Sequence, residues 1–296
     1  TATNGEQYVV KVTSSAEPAI VGDFQIAALL HLEESRRMVP SVIRTRDGRT
    51  SGTVSAADDD YRLRLMSFLP GVLLASVPLD RELVDDFGAQ LAELHAGLES
   101  FAHPGENPVL LWDLQRAGEL RSLLTAIDDS DTRRRVERAL DDYESVVVPG
   151  LGALRTQVIH GDGNPGNVLV DPTRHRVTGF IDFGDMVRAP LVFDVAIAAA
   201  YLRGPDDDPL RWIRPFVAGY RGAAPLPAME SRLLFDLVRA RLATTITLLF
   251  WRLGARSDDD PYREKTLKEE GDAIRFLASL DALGREGFAA RLEQAT

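Results

Sequence analysis

The sequence predicts an α+β fold of two lobes: a small β-rich lobe over residues 1–70 and a large, mainly helical lobe over 71–296. Three observations predict it. Short β-branched runs and a single helix fill the first stretch. Leu69-Pro70-Gly71 then breaks the pattern. From Asp80 onward, apolar residues recur mostly at helical spacing.

Taken in order, Asn4-Gly5 is a turn signal, and Tyr8-Val9-Val10-Lys11-Val12 reads as a strand because β-branched residues fit a pleated surface. Ile20 to Glu34 carries Ile20, Phe24, Ala27, Ala28 and Leu32 at helical spacing, and Val39-Pro40 ends that helix. Val42 to Arg44 and Tyr61 to Phe68 read as strands, with turns at Asp47-Gly48 and Asp58-Asp59-Asp60 between them. Asp80 to Phe101 predicts an amphipathic helix, with Leu83, Phe87, Leu91, Leu94 and Leu98 on one face. Trp112 to Ala126 and Thr132 to Val147 predict two more helices. A β segment spans Val158 to Asp185, and helices resume from Leu191 to Arg203 and run to the end. Asp206-Asp207-Asp208 and Asp258-Asp259-Asp260, each followed by proline, read as loops.

Composition excludes several functions. A chain of 296 residues with 45% hydrophobic content can bury a sizeable core. It has no cysteine, so disulfides, thiol nucleophiles and cysteine-bound metals are ruled out. Its net charge of −11 opposes nucleic acid and anionic membrane. The dense basic run Arg133-Arg134-Arg135 reads as a solvated helix face. Apolar runs such as Val192 to Tyr201 are too short to span a bilayer, and no secretory signal precedes the first strand, so a cytoplasmic protein is expected.

The chemistry concentrates in two motifs. His160-Gly161-Asp162-Gly163-Asn164-Pro165-Gly166-Asn167 lies between apolar strands, and Ile181-Asp182-Phe183-Gly184-Asp185 follows the next one. H-x-D-x-x-x-x-N followed by D-F-G is the layout of a phosphoryl-transfer loop and its metal turn. Transfer of a γ-phosphoryl group needs a carboxylate that orients the incoming hydroxyl and accepts its proton, and Asp162 is the candidate. The phosphates need a hard cation such as magnesium with oxygen ligands. Asn167 offers an amide oxygen and Asp182 a carboxylate. His160 reads as a backbone anchor. Lys11, mid-strand, reads either as a solvent-facing lysine or, upstream of such a loop, as a contact for nucleotide phosphates, with Asp23 or Gln25 as its partner on the following helix. At the hinge Met66-Ser67-Phe68-Leu69, backbone groups of Ser67 and Leu69 are candidates for adenine.

These residues resemble the aminoglycoside phosphotransferase and choline kinase superfamily, whose fold is protein-kinase-like. Gly161 stands where protein kinases usually carry arginine, as in the small-molecule enzymes. Asp182 to Met186, Phe193 to Ala198, Phe101-Ala102-His103-Pro104, Trp112-Asp113-Leu114 and Ala240-Arg241-Leu242 look like hydroxylysine kinase and the phosphotransferase domains fused to class III aminotransferases. The resemblance implies ATP and Mg2+ as cofactors, Asp162 as catalytic base, Asn167 and Asp182 on the metal, and Lys11 on the nucleotide. It also implies two strands and a phosphate-covering loop before the lysine strand, where only Thr1 to Gln7 stand here.

For the small-molecule hydroxyl substrate, hydroxylysine would call for an arginine against its carboxylate and acids against its amines. Arg241, charged within an apolar helix, and Asp185 and Asp194 are the candidates. A structural ion pair of Arg241 with an aspartate is the competing reading. Trp251 and Tyr201 line either the pocket or the core. An amino-acid or amino-alcohol kinase, an antibiotic-modifying kinase, and a silent nucleotide-binding protein acting through a partner are the three functions compatible with the chain.

Overall fold

The computed structural model describes residues 5–14, 17–34, 38–56, 59–205, 207–254 and 263–294, the side chains of 263–267 and 270 excepted. The expected features at Asn4, Asp58, Asp206 and Asp258-Asp259-Asp260 lie outside them.

Strand β1, Tyr8–Ser14, pairs antiparallel with β4, Asp59–Ser67, and places Lys11 opposite Arg64. β2, Val42–Ile43, lies on the other side of β4. β3, Gly52–Ala56, pairs with the start of β4. Sequence patterning misses β3 because its side chains are largely exposed and show no apolar alternation. Helix α1, Ala19–Glu34, buries Phe24, Gln25, Ala28, Leu29 and Leu32. Phe24 stacks on Phe101 and His103, ring centroids 6.0 and 5.6 Å away, which ties this helix to the larger part of the chain.

Beyond Gly71, β5, Val72–Leu73, joins β7, Val168–Asp171, which hairpins with β8, Arg176–Phe180. β6, Thr156–Ile159, pairs with β9, Val187–Pro190. The two small sheets hold the motif loops at their ends.

Helix α2, Arg81–Leu98, starts where Asp80 accepts a hydrogen bond from Leu83 N (3.0 Å). Leu83, Phe87, Leu91, Leu94 and Leu98 are buried, as its periodicity predicts. The stretch expected as a helix over Trp112 to Ala126 forms 3₁₀ turns at Leu114–Ala126 instead. Its buried Leu114, Ala117 and Leu120 recur every three residues, the period of a 3₁₀ turn. α3, Ser130–Asp142, continues as a π-helical turn at Tyr143–Val147. α4, Leu191–Ala199, is buried along its whole length and stops short of the expected Arg203.

α5, Ile213–Ala223, crosses α2 so closely that a Cβ on Gly88 would lie 1.9 Å from Phe216 O. α6, Ala228–Gly254, is the central helix, and α7, Arg263–Leu292, packs on it with a break at Gly284 (φ +70°). Among the described residues no helix is long and apolar enough to cross a membrane. The chain thus has the two-part α+β, protein-kinase-like arrangement: a small sheet with one helix first, then a mainly helical body.

Candidate active site

The two motif loops meet between the small sheet and the helical body. Gly161 takes φ +77°, and a Cβ there would lie 2.2 Å from Asp185 O. Only glycine lets the first loop pack this tightly on the second. Asp182 is also left-handed (φ 59°), an uncommon conformation for a side chain-bearing residue that the surrounding loops must hold in place.

Asp194 supports the first loop from below. It is 0% exposed, and its carboxylate accepts His160 N (2.9 Å), Gly161 N (3.0 Å) and His95 Nε2 (3.1 Å). Burial pushes the Asp194 carboxyl up, but these donors outweigh it and hold it below the ordinary carboxylate value. The substrate role expected for Asp194 is therefore corrected: the fully buried carboxylate meets the loop backbone and His95, not a ligand. His95 Nδ1 in turn meets Tyr220 OH at 2.8 Å. His160 Nε2 donates to Ile181 O (3.0 Å) and Nδ1 accepts from Asp162 N (3.3 Å), so the ring is a strut between the backbones of the two loops.

Asp162 is clamped by three side chains. Its Oδ2 accepts from Asn167 Nδ2 (2.7 Å) and Asn164 Nδ2 (2.9 Å), and its Oδ1 from Arg241 Nη2 (3.1 Å). Arg241 is 1% exposed, donates to Trp112 O (3.1 Å) and Tyr201 OH (3.4 Å), and lies over both rings. It is the structural ion pair, not a free substrate ligand; the buried guanidinium already has an aspartate. Tyr201 is half-buried beside it, whereas Trp251 is 42% exposed and belongs to no core.

Lys11 Nζ donates to Asp182 Oδ1 at 2.5 Å. Burial raises the Asp182 carboxyl, but the bond and charge of Lys11 outweigh that and leave it below its ordinary value. Asp23 does not reach Lys11; two residues from Gln25, it lies on the other face of α1 and points outward to Arg62 (3.5 Å). Gln25 occupies the inward position. Its Oε1 accepts from buried Arg64 Nη1 (2.7 Å) and its Nε2 donates to Gly184 O (3.5 Å). A buried Arg64 beside Lys11 was not foreseen; the β1–β4 register that brings them together is invisible to local pattern. His95 was missed too, although a histidine inside the apolar stripe of α2 is a readable signal.

Asp185 is half-buried, and its carboxylate accepts no hydrogen bond among the described residues. Burial first, then the neighbouring Asp162 and Asp182 charges, push its carboxyl above the ordinary value, with Arg241 offsetting part.

A cavity of about 420 Å³ adjoins these loops, walled by Val9, Ile26, Val42, Met66 and Leu169 with Lys11 and Asp182 at its polar end. Ser67 and Leu69 line it. The Ser67 hydroxyl accepts Ser41 N (2.9 Å), the donor that a regular ladder would aim at the Ser67 carbonyl. An apolar slot with convergent polar groups suits a flat heteroaromatic ligand.

Comparison with known proteins agrees with this geometry. Mouse hydroxylysine kinase is 28% identical over 282 residues, which cover 88% of this chain and 74% of that protein. A microcompartment-associated aminopropanol kinase superposes with a TM-score of 0.64 at 24% identity, covering 97% and 87% of the two chains. An amicoumacin kinase, solved with AMP-PNP, Ca2+ and amicoumacin, superposes at 0.69 with 16% identity, covering 95% and 84%. A profile of the Phosphotransferase enzyme family, APH, matches residues 1–235. The chain belongs to that family of phosphotransferases.

Proposed function

We propose that this enzyme transfers the γ-phosphoryl group of ATP to a hydroxyl of a small amine-bearing acceptor, an amino acid or amino alcohol. The clamped Asp162 carboxylate carries the reading. Three donors fix it in one orientation at the junction of both loops, and its side chain is only 20% exposed. A carboxylate held this way orients the acceptor hydroxyl and takes its proton as the O–P bond forms. Similarity to hydroxylysine kinase and aminopropanol kinase supports the acceptor class.

The adenine would lie in the apolar cavity against the Ser67 carbonyl and Leu69 N–H, with Lys11 turning from Asp182 to the phosphates. Among the described residues no group of three or more His, Cys, Asp or Glu side chains gathers as a metal cluster. The residues present nonetheless fit magnesium, which binds through one or two carboxylates and the phosphates themselves. Asn167 spends its amide N–H on Asp162, which leaves its carbonyl oxygen as a ligand; Asp182 supplies the carboxylate. Magnesium there would neutralise charge on the transferring phosphate. Asp185 would receive the acceptor ammonium. ATP consumption fits an enzyme of the cytoplasm.

The test is a coupled ADP-release assay over hydroxy amino acids, amino alcohols and aminoglycosides. Turnover of an amino acid or amino alcohol is expected. Preference for aminoglycosides would move the enzyme to antibiotic modification, and ATP binding without any turnover would make it a silent binder.

A further inference from the structure

The cavity beside the motif loops carries more positive than negative charge, although the whole chain has a net charge of −11. Among the described residues its lining holds two cations, Lys11 and Arg64, and one carboxylate, Asp182. Lys11 and Arg64 are directly opposed in the β1–β4 register, so both side chains leave the same face of the sheet. Lys11 meets Asp182, whereas Arg64 meets neutral oxygens: its Nη1 donates to Gln25 Oε1 (2.7 Å) and Gly22 O (3.3 Å). The Arg64 Nε is buried without a hydrogen-bond partner among the described residues. The side chain is only 5% exposed, and desolvation, partly offset by the Glu17 and Asp23 charges, pulls its pKa below the ordinary value. A buried guanidinium normally has a carboxylate against it, because an unpaired charge in the interior is costly. Helix α1 offers none here: Asp23 turns outward to Arg62, and Gln25 takes the inward position. The amide fixes the guanidinium without cancelling its charge. Gln25 is itself buried, and its Nε2 reaches Gly184 O at a long 3.5 Å, so it stands between Arg64 and the Asp182-Phe183-Gly184 turn.

Resting on the reading of this cavity as the nucleotide site, we infer that Arg64 is a second phosphate-binding cation beside Lys11, and that Gln25 is its neutral holder. Nucleotide phosphates drawn to Lys11 are the anion that the guanidinium lacks. An arginine cannot shed its charge, and the fork of Arg64 keeps Nε as a donor without a partner. Inside a cavity walled by apolar side chains, attraction between this charge and the phosphates is stronger than at an open surface. When Lys11 turns from Asp182 to the phosphates, Arg64 stays fixed by Gln25, so the inner end of the cavity remains positive in both positions of the lysine.

Isothermal titration with MgADP and with adenosine tests this, because adenosine fills the apolar slot but brings no phosphate. Arg64→Met should weaken MgADP binding by about tenfold or more, the scale of a lost hydrogen bond to a charged group, and leave adenosine binding unchanged. Arg64→Lys, which keeps the charge, should retain most of the affinity for MgADP. Gln25→Glu should act like Arg64→Met, since a carboxylate there would cancel the guanidinium in place, and it carries the test should Arg64→Met fail to fold. Equal losses for MgADP and adenosine, unchanged MgADP affinity in Arg64→Met, or tighter MgADP binding in Gln25→Glu would overturn the inference. The parent reading fails separately. Arg64-dependent binding of pyrophosphate by a protein that takes neither MgADP nor adenosine keeps the anion site and rejects the nucleotide. Equal losses of both nucleotide probes keep the nucleotide and reject the role of Arg64. No binding of any of the three probes overturns both.

Discussion

Asp162 and Asp182 lie at the ends of neighbouring loops, yet they are held by opposite means. Asp162 is fixed by Arg241, Asn164 and Asn167, whereas the more exposed Asp182 is paired with Lys11. Their substitutions should therefore separate. In the role proposed for Asp162, Asp162→Asn would remove the proton acceptor but keep the shape, so kcat should fall by about 10²-fold or more, the range of general-base contributions, with nucleotide affinity retained. Asp182→Asn should instead weaken magnesium-nucleotide binding, read as a raised KM for ATP in a magnesium titration. Asp185 is a third case. Its ionised form is disfavoured by burial and by two like charges, so it costs stability at neutral pH, while its proposed role is to attract a cation. Asp185→Asn should raise the melting temperature of the ligand-free protein and raise the KM of an amine acceptor by about tenfold or more, the scale of a lost hydrogen bond to a charged group. A lower melting temperature together with an unchanged KM would remove Asp185 from the acceptor site.

At the scale of elements, the site depends on helices that never touch a ligand. α2 carries His95 and α5 carries Tyr220, and the two side chains meet under Asp194. That contact requires the helices to cross at backbone distance, which Gly88 and Gly219 allow; a Cβ on Gly219 would lie 1.8 Å from Asp85 O. Gly88→Ala must push the helices apart. It should destabilise the protein by about 3 kcal/mol, at the upper end of ordinary overpacking costs, measured by urea unfolding. Because the shift passes through His95 and Asp194 to the loop that carries Asp162, kcat should fall further than the KM for ATP rises. A fully stable variant would show that α2 and α5 tolerate a wider crossing.

For the whole molecule, the buried Asp194 makes stability depend on acid. Its folded carboxyl titrates below the unfolded value, so the stabilisation it contributes is fully present above the unfolded carboxylate pKa of about 4 and is lost as pH falls through the lower folded value. Protonation would release the backbone of His160 and Gly161. Asp194→Asn should therefore destabilise the protein at pH 7 and flatten the acid limb of its pH–stability curve. An acid limb as steep as that of wild type would assign acid unfolding to other carboxylates.

By itself the sequence determined the division into a β-rich beginning and a helical remainder, and the paired motifs around Asp162 and Asp182, because each depends on spacing within a few residues. The periodic face of α2 was legible for the same reason. Tertiary structure alone decided partners. Asp194 turned from expected ligand to loop anchor, Asp23 pointed away while Gln25 turned in, and Arg241 was already bound to Asp162. Arg241 and Asp162 meet from 79 positions apart in the chain, and Lys11 and Asp182 from 171. Local pattern reports which face a side chain occupies; only the packing of the helices and the register of the sheet decides what stands opposite it.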